Sequence, residues 1–569
     1  MTKIRLLLLV LVFLMAFNLS ACTEAAKTDQ TNEDEGTESE APIELKAEDK
    51  VPAIEFWITS QTYDSIRYEA GLMISDAWKE LGFDVDVKTM EWTTMSAEGM
   101  SAHKHGAFMV QWGGKAERID PFHWLYTMHY SEESGEGGYN IAGYKNAKYD
   151  KLADEFVTIM DDDIRKEKSN EMQKILASDV PQPPIVHRLV TQVYNKDRFT
   201  NVMPSMGEGL YSFWNWINIE PLTEDAVIKF GAVNDIKLLN PLTTTTGQDI
   251  YILNLIYDTL VKVDVNGQIV PWLAESFNVI DDKTIEVTLR DDVKFHDGSP
   301  VTLEDVKFTF DFAKEVKAPY YMSKIKAIES VEITGDNKLV FKLSEPFAPF
   351  MSNGLALVGI LPKHIWESKY QELGAEGILS WPNTPTIGSG PFMFDYWRPN
   401  EEMMLNANKE HFSNPKIDGI LRIPYAQEYG IIQALISGEI DITGQNMLPL
   451  DLEEIEKVDS LQTIDIADQG SYMLHYNMRK EPFNDVHVRR ALTFAIPKQT
   501  IADVIFGGKA LKAFSVVGEI NEAWHNPDIE KIDYDMEKAK KELQDAGFRW
   551  DENGKLYYPE NYVPMEYLD

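Results

Sequence analysis

Four histidines in one stretch, His103, His105, His123 and His129, invite chemistry first, because neutral imidazole is a common ligand of borderline metals. Their spacing matches no closed metal site. The sole thiol, Cys22, lies far upstream, so no metal is expected. A glycosidase needs two facing carboxylates, and 92 Asp and Glu residues leave no pair singled out. No HExxH, GxSxG or phosphate-loop run occurs. No catalytic residue and no cofactor is therefore assigned. Trp92, Trp112, Trp124, Trp214 and Trp216 are able to line a sugar or peptide cleft, although most large aromatics belong to cores.

These groups need a scaffold, and 569 residues are too many for one ordinary core and enough for two or three lobes. The formal net charge of −38 excludes a nucleic-acid reader, which needs a basic face, and argues against adhesion to anionic lipid. With one cysteine no intramolecular disulfide can form. Strand-like and helix-like segments alternate, which predicts an α/β fold. Residues 54–59 and 83–88 read as strands. Residues 64–81 read as a helix stopped at Gly82, and 150–179 as a long amphipathic helical region. His296-Asp297-Gly298 predicts a turn, followed by a helix capped by Thr302 with Asp305 three residues on.

The start of the chain reads as an address. Residues 1–21 have a basic beginning (Lys3, Arg5), an apolar run over 6–14 and small residues after it, as a secretory signal does. The run Leu19-Ser20-Ala21-Cys22 resembles the bacterial lipobox, which implies lipidation of Cys22 and stable anchoring to a membrane. Residues 22–50 are acidic and nearly free of apolar side chains, so a disordered tether is expected.

Several runs in order carry a family resemblance. They are FGAVNDIKLLNPLTTTTGQDIYILNLIYDTLVKVDVNGQIVPWLAESF from Phe230, KFHDGSPVTLEDVKFTFD from Lys294, IGSGPF from Ile387, ALISGEIDI from Ala434 and YNMRKEPFNDVHVRRALTFAI from Tyr476. Together they resemble the family 5 extracellular solute-binding proteins, which take oligopeptides, dipeptides, nickel complexes and some sugars. The earlier segment, 54–222, is similar to that family's usual C-terminal part, through AWKELGFDVDVKTMEW, VQWGGKAERIDPF and GGYNIAGYKNAKYDKLADE. The family's tail thus precedes its head, which implies a circular permutation. A remnant of two tandem genes and an error of sequence assembly are the competing readings. Under permutation, residues near Val51 and Asp569 lie close together. Of the similar openings at Val51 and Val563, one holds the strand slot.

The resemblance implies a bilobal, type II periplasmic-binding-protein-like fold with an extra inserted lobe. Lobe III would take 51–189 and 474–569, lobe I 190–270 and 386–473, and lobe II 271–385. It implies no enzyme but the binding subunit of an importer. A monomer would close on a peptide or other small solute between lobes I and III, then dock on permease subunits driven by a separate ATPase. A peptide or pheromone sensor, a binder of nickel chelate or oligosaccharide, and a secreted hydrolase remain as alternatives. In peptide-binding relatives the stretch matching Gln111, Trp112, Gly113 and Gly114 runs beside the ligand backbone. Thr246 and Tyr472 are carried over as further ligand contacts. The residue that grips a free amine is Lys115 here, and lysine cannot accept a hydrogen bond from an ammonium. Either Asp120 takes that place, or it only turns the backbone before Pro121, or Lys115 or Arg118 meets an anionic group on the ligand.

Overall fold

The structure is a computed structural model that describes residues 45–563 except 115–117, 245 and 448. The signal, Cys22, the tether up to residue 44, Lys115 and the second strand opening from Pro564 onward lie outside the described residues.

A twelve-stranded mixed sheet forms the frame. One wing orders Phe392–Arg398, Glu402–Ala407, Gly419–Tyr425, Val227–Val233 and Ile442–Thr443 side by side. The other orders Tyr472–Tyr476, Ala107–Gln111, Ile54–Thr59 and Val85–Met90. Pro184–Asn195 joins them, and both of its halves are paired. Its first residues pair with 472–473 and 510–512. Its later residues pair with Leu461–Ala467 and with Ile442–Thr443. Residues 468–471 carry the chain back from one wing to the other.

The second wing is made from both ends of the chain. Ile54–Thr59 lies parallel to Val85–Met90 and Ala107–Gln111, and Tyr472–Tyr476 runs antiparallel to Ala107–Gln111. Ala107–Gln111 and Tyr472–Tyr476 are buried on both faces and read as near-continuous apolar runs, whereas the edge strand Val85–Met90 alternates apolar and polar residues. Phe56, Ile58, Ala107, Met109, Leu474 and Tyr476 enter one core together with Leu543 and Leu556. Trp57, Phe108, Val110 and Met473 enter another, with Met172 and Trp524. At the outer edge Lys50 bridges to Tyr557, and the Val51 N–H donates to the Leu556 carbonyl at 3.1 Å. The tail of the expected tether is thus tied down: Ala47–Asp49 forms a short turn before that bridge. The first wing shares its core with a four-stranded antiparallel sheet in the order Ala274–Asp281, Thr284–Leu289, Lys338–Leu343, Ile328–Gly335.

Local signals account for most boundaries. Asp64 caps Ser65–Glu80 by accepting from the Arg67 N–H, and Gly82 follows at φ +110°, which favours glycine. Thr302 and Asp305 form a reciprocal capping box on Leu303–Glu315. The helical region expected over 150–179 is two helices, Ala147–Thr158 and Asp162–Asp179. Asp161 is extended and caps the second through the N–H groups of Asp163 and Ile164, so the preceding turn cannot run on. Among the described residues no helix is long and apolar enough to cross a membrane.

Candidate functional site

The crossing strand leaves a cavity of about 330 Å³ against its later half. Val190, Gln192, Tyr211, Phe230 and Tyr251 form much of its wall, with Glu208 and Glu428 at acidic positions. Tyr211 sits between two rings, stacked on Phe230 at 4.7 Å and tilted against Tyr251 at 4.4 Å. Gln192 is held by backbone groups distant in sequence: its Oε1 accepts from the Leu210 N–H at 2.6 Å and its Nε2 donates to the Gly444 carbonyl at 2.9 Å. These bonds fix a polar wall without consuming the cavity.

Where the two wings meet, Asp468 is buried and fully engaged. Its Oδ1 accepts from the N–H groups of Gly114 at 2.6 Å and Gly470 at 2.9 Å. Its Oδ2 pairs with Arg188 Nε at 3.0 Å. Burial opposes the Arg188 charge, but the adjacent carboxylate more than offsets it and holds the guanidinium above its ordinary pKa. Arg188 and Asp468 both line the cavity. Sequence reasoning passed over Asp468. The signal available was an Asp-x-Gly turn between two apolar runs, 461–467 and 472–476.

The expected site residues divide into groups. Gln111 ends a central strand opposite Tyr472, and its Nε2 is buried without a partner among the described residues. The Trp112 N–H donates to the Ser471 carbonyl at 3.0 Å. Its indole N–H donates to His475 Nε2 at 3.3 Å. Gly114 passes so close to the turn that a Cβ there would sit 2.6 Å from Asp468 Oδ1 and 2.7 Å from Gly207 Cα. The backbone N–H expected to meet a ligand is therefore bonded to Asp468. Arg118 donates to the Gly113 carbonyl at 2.5 Å and lies over the rings of Trp112 and Trp124 at 5.3 and 5.8 Å. Tyr472 is buried in the sheet, and burial with the nearby Asp64 carboxylate pushes its hydroxyl up to about 12. Thr246 caps Gly247–Ile256 by accepting from the Asp249 N–H, and its neighbours Gly247 and Gln248 line the cavity. None of the five expected tryptophans is in the cavity wall.

Asp120 faces another way. Its carboxylate receives both guanidinium nitrogens of buried Arg165 at 2.7 Å, the Ser352 hydroxyl at 3.2 Å and the Phe122 N–H at 2.9 Å. The turn before Pro121 is thus one of its tasks. Another is a bridge to 347–355: Ala348 N–H donates to the Val157 carbonyl at 2.8 Å, and Phe122 meets Phe347 edge-on at 5.6 Å.

His475 belongs to the Tyr472–Tyr476 strand, opposite Phe108. His105, His129 and His475 are buried. Burial pushes His129 down to about 4, opposed by its bond to the Trp124 carbonyl. Burial and the facing His129 and His103 push His475 down to about 3. Among the described residues no group of three or more His, Cys, Asp or Glu side chains is placed to hold a metal ion.

The family model "Bacterial extracellular solute-binding proteins, family 5 Middle" matches residues 268–567. The oligopeptide-binding protein AppA of Bacillus subtilis is 30% identical over 340 residues, 57% of this chain and 60% of that protein. A putative ABC transporter peptide-binding protein of Brucella ovis is 30% identical over 317 residues, 55% and 58% of the two chains. The dipeptide-binding protein of Escherichia coli is 26% identical over 315 residues, 51% and 58% of the two. A solved structure of AppA with a nonapeptide superposes with a TM-score of 0.44 and 26% identity, over 58% of this chain and 66% of that one. The chain thus spans about 60% of the length of the curated relatives it matches. With more than half of its residues inside the family model, the chain belongs to the family 5 bacterial extracellular solute-binding proteins.

Proposed function

We propose that this protein is the solute-binding lipoprotein of an ABC importer. It captures a peptide-like solute in the cavity beside Arg188 and Asp468 and delivers it to membrane permease subunits coupled to a separate ATPase. One observation carries the reading. A cavity of about 330 Å³ lies where two wings of a sheet are joined through one crossing strand and the 468–471 return, a geometry suited to closing around a ligand. The named activities of the relatives from B. subtilis and E. coli support a peptide. Mass spectrometry of ligand retained by the purified chain tests this, with a peptide expected. Recovery of a metal chelate or an oligosaccharide alone overturns the choice of ligand.

Three further proposals belong to this function. Cys22 carries the lipid, so Cys22→Ser should move the protein from the membrane fraction to the medium or periplasm. Lys115 stands where relatives accept a free amine, so Lys115→Asp should tighten binding of free-amine peptides in calorimetry; unchanged or weaker binding counts against that placement. The chain is circularly permuted, with 51–189 and 474–569 forming one lobe. The pairing of Lys50 with Tyr557 and the mixed cores support this. A rearranged chain running 227–562 and then 51–222 should fold and retain the same ligand, and failure to fold as the natural order does would sink the permutation.

A further inference from the structure

Arg188 is fastened at one end and open at the other. Its Nε pairs with Asp468 Oδ2 at 3.0 Å, and among the described residues this is the only hydrogen bond its guanidinium makes. Nη1 and Nη2 are left over, on a side chain that is 30% exposed and lines the cavity. That edge of a guanidinium presents parallel N–H groups, the match for the two oxygens of a carboxylate. Asp468 does not fill it. Both of its oxygens are already taken, by Arg188 and by the N–H groups of Gly114 and Gly470. Other donors line the same cavity. Asn446 Oδ1 accepts from the Thr191 N–H at 2.8 Å, and because an N–H can only donate, the amide's NH2 is the end left over. Gly247 and Gln248 open the helix Gly247–Ile256, and the first N–H groups of a helix have no acceptor within it. The carboxylates of Glu208 and Glu428 in the lining do not reverse this. Glu208 interacts with a group of its own, and Glu428 is exposed to water, which screens it.

We infer that Arg188 is the anchor for a carboxylate of the bound solute, gripping it through Nη1 and Nη2 while Asp468, as a positioning residue, holds the guanidinium in place. This rests on the peptide-binding reading above and narrows it: the solute turns a carboxylate, C-terminal or on an acidic side chain, into this cavity, where Asn446 adds a further donor. Arg188 stands on Pro184–Asn195 close to where that strand changes partners, so the anchor is fixed to the element that the two wings share.

The test uses the full chain, calorimetry and tetra-alanine as the free acid and as the C-terminal amide, with further amides in which each position in turn carries glutamate or glutamine. Either the free acid should bind about tenfold tighter than the amide, which puts the C-terminus on Arg188, or one glutamate amide should bind about tenfold tighter than its glutamine counterpart, which puts a side chain there. Arg188→Lys keeps a cation for Asp468 and loses the fork. The double variant Arg188→Met with Asp468→Asn removes both charges together, leaves no unpaired ion and keeps an oxygen for Gly114 and Gly470. In each the preference should fall to within about twofold, and a thermal melt checks that the variant folds. Peptides that bind with no preference for a carboxylate, or a preference that survives in either folded variant, overturn the inference and leave peptide capture standing. Absence of binding by every peptide in the set overturns both.

Discussion

Asp468 shows how much one side chain decides. It is a buried carboxylate with three donors, and it ties the glycine stretch 113–114, the return turn and the crossing strand into one knot. Removing one partner of such a pair leaves the other charge and two N–H groups without compensation, which costs far more than the pair gives. Asp468→Ala should lower stability by about 3 kcal/mol in chemical denaturation. A loss below about 0.5 kcal/mol, the scale of a surface substitution, would show that water replaces the carboxylate without penalty. Asp120 makes the same point in a different place. Its type and its position before Pro121 are compatible with an amine acceptor, and its neighbours in space commit it to Arg165.

At the scale of elements, the crossing strand and the return turn act together. Pro184–Asn195 is paired along both halves, so bending between the wings must concentrate where its partners change, near residues 188–189, and at 468–471 beside it. The turn is packed tightly enough to test. A Cβ on Gly470 would lie 1.8 Å from the Trp112 carbonyl oxygen, a backbone atom that cannot rotate away. Gly470→Ala should therefore spread the turn and weaken retention of the native ligand at least tenfold, read by mass spectrometry of the purified chain. Undiminished retention would mean that this contact is not needed for the binding form. The bridge from Asp120 to Ser352 is a second contact between elements. Ser352→Ala removes one donor and leaves the Arg165 pair intact, so stability should change by less than about 1.5 kcal/mol. The maximum dimension in X-ray solution scattering should rise as 347–355 separates from 120–122. No change in scattering would make the bridge a passive contact.

For the whole molecule, acidity is the telling variable. His129 is held down at about 4 and His475 at about 3, and His105 also lies well below its ordinary 6.5. In the unfolded chain each takes a proton near pH 6.5, whereas the folded chain keeps it neutral. Between those values the unfolded state binds more protons, so stability rises with pH and falls as the solution is acidified. The loss should begin below about pH 6.5 and continue towards pH 4, at up to about 1.4 kcal/mol per pH unit for each buried ring. Denaturation midpoints at pH 7.5 and 5.5 check this, and equal midpoints would show that the rings are hydrated in solution. His475 belongs to the Tyr472–Tyr476 strand and His105 precedes its partner Ala107–Gln111, so acid should loosen that wing first.

The sequence alone established the α/β class and the family, because the motifs that carry them are contiguous. A capping box at Thr302 and Asp305, a helix stop at Gly82 and the 54–59 strand depend on neighbours within a few residues, and each can be read locally. The break at Asp161 was missed because Asp there serves equally as a solvated helix residue or as a cap, and only the backbone distinguishes them. The tertiary structure alone decided what Asp468 and Arg188 face. Their partners lie up to several hundred residues away, at Gly114 for Asp468, and no spacing rule spans such a distance. It also decided that Asp120 turns to Arg165, since a carboxylate is drawn to whichever cation the fold brings within reach, and local sequence does not contain that information.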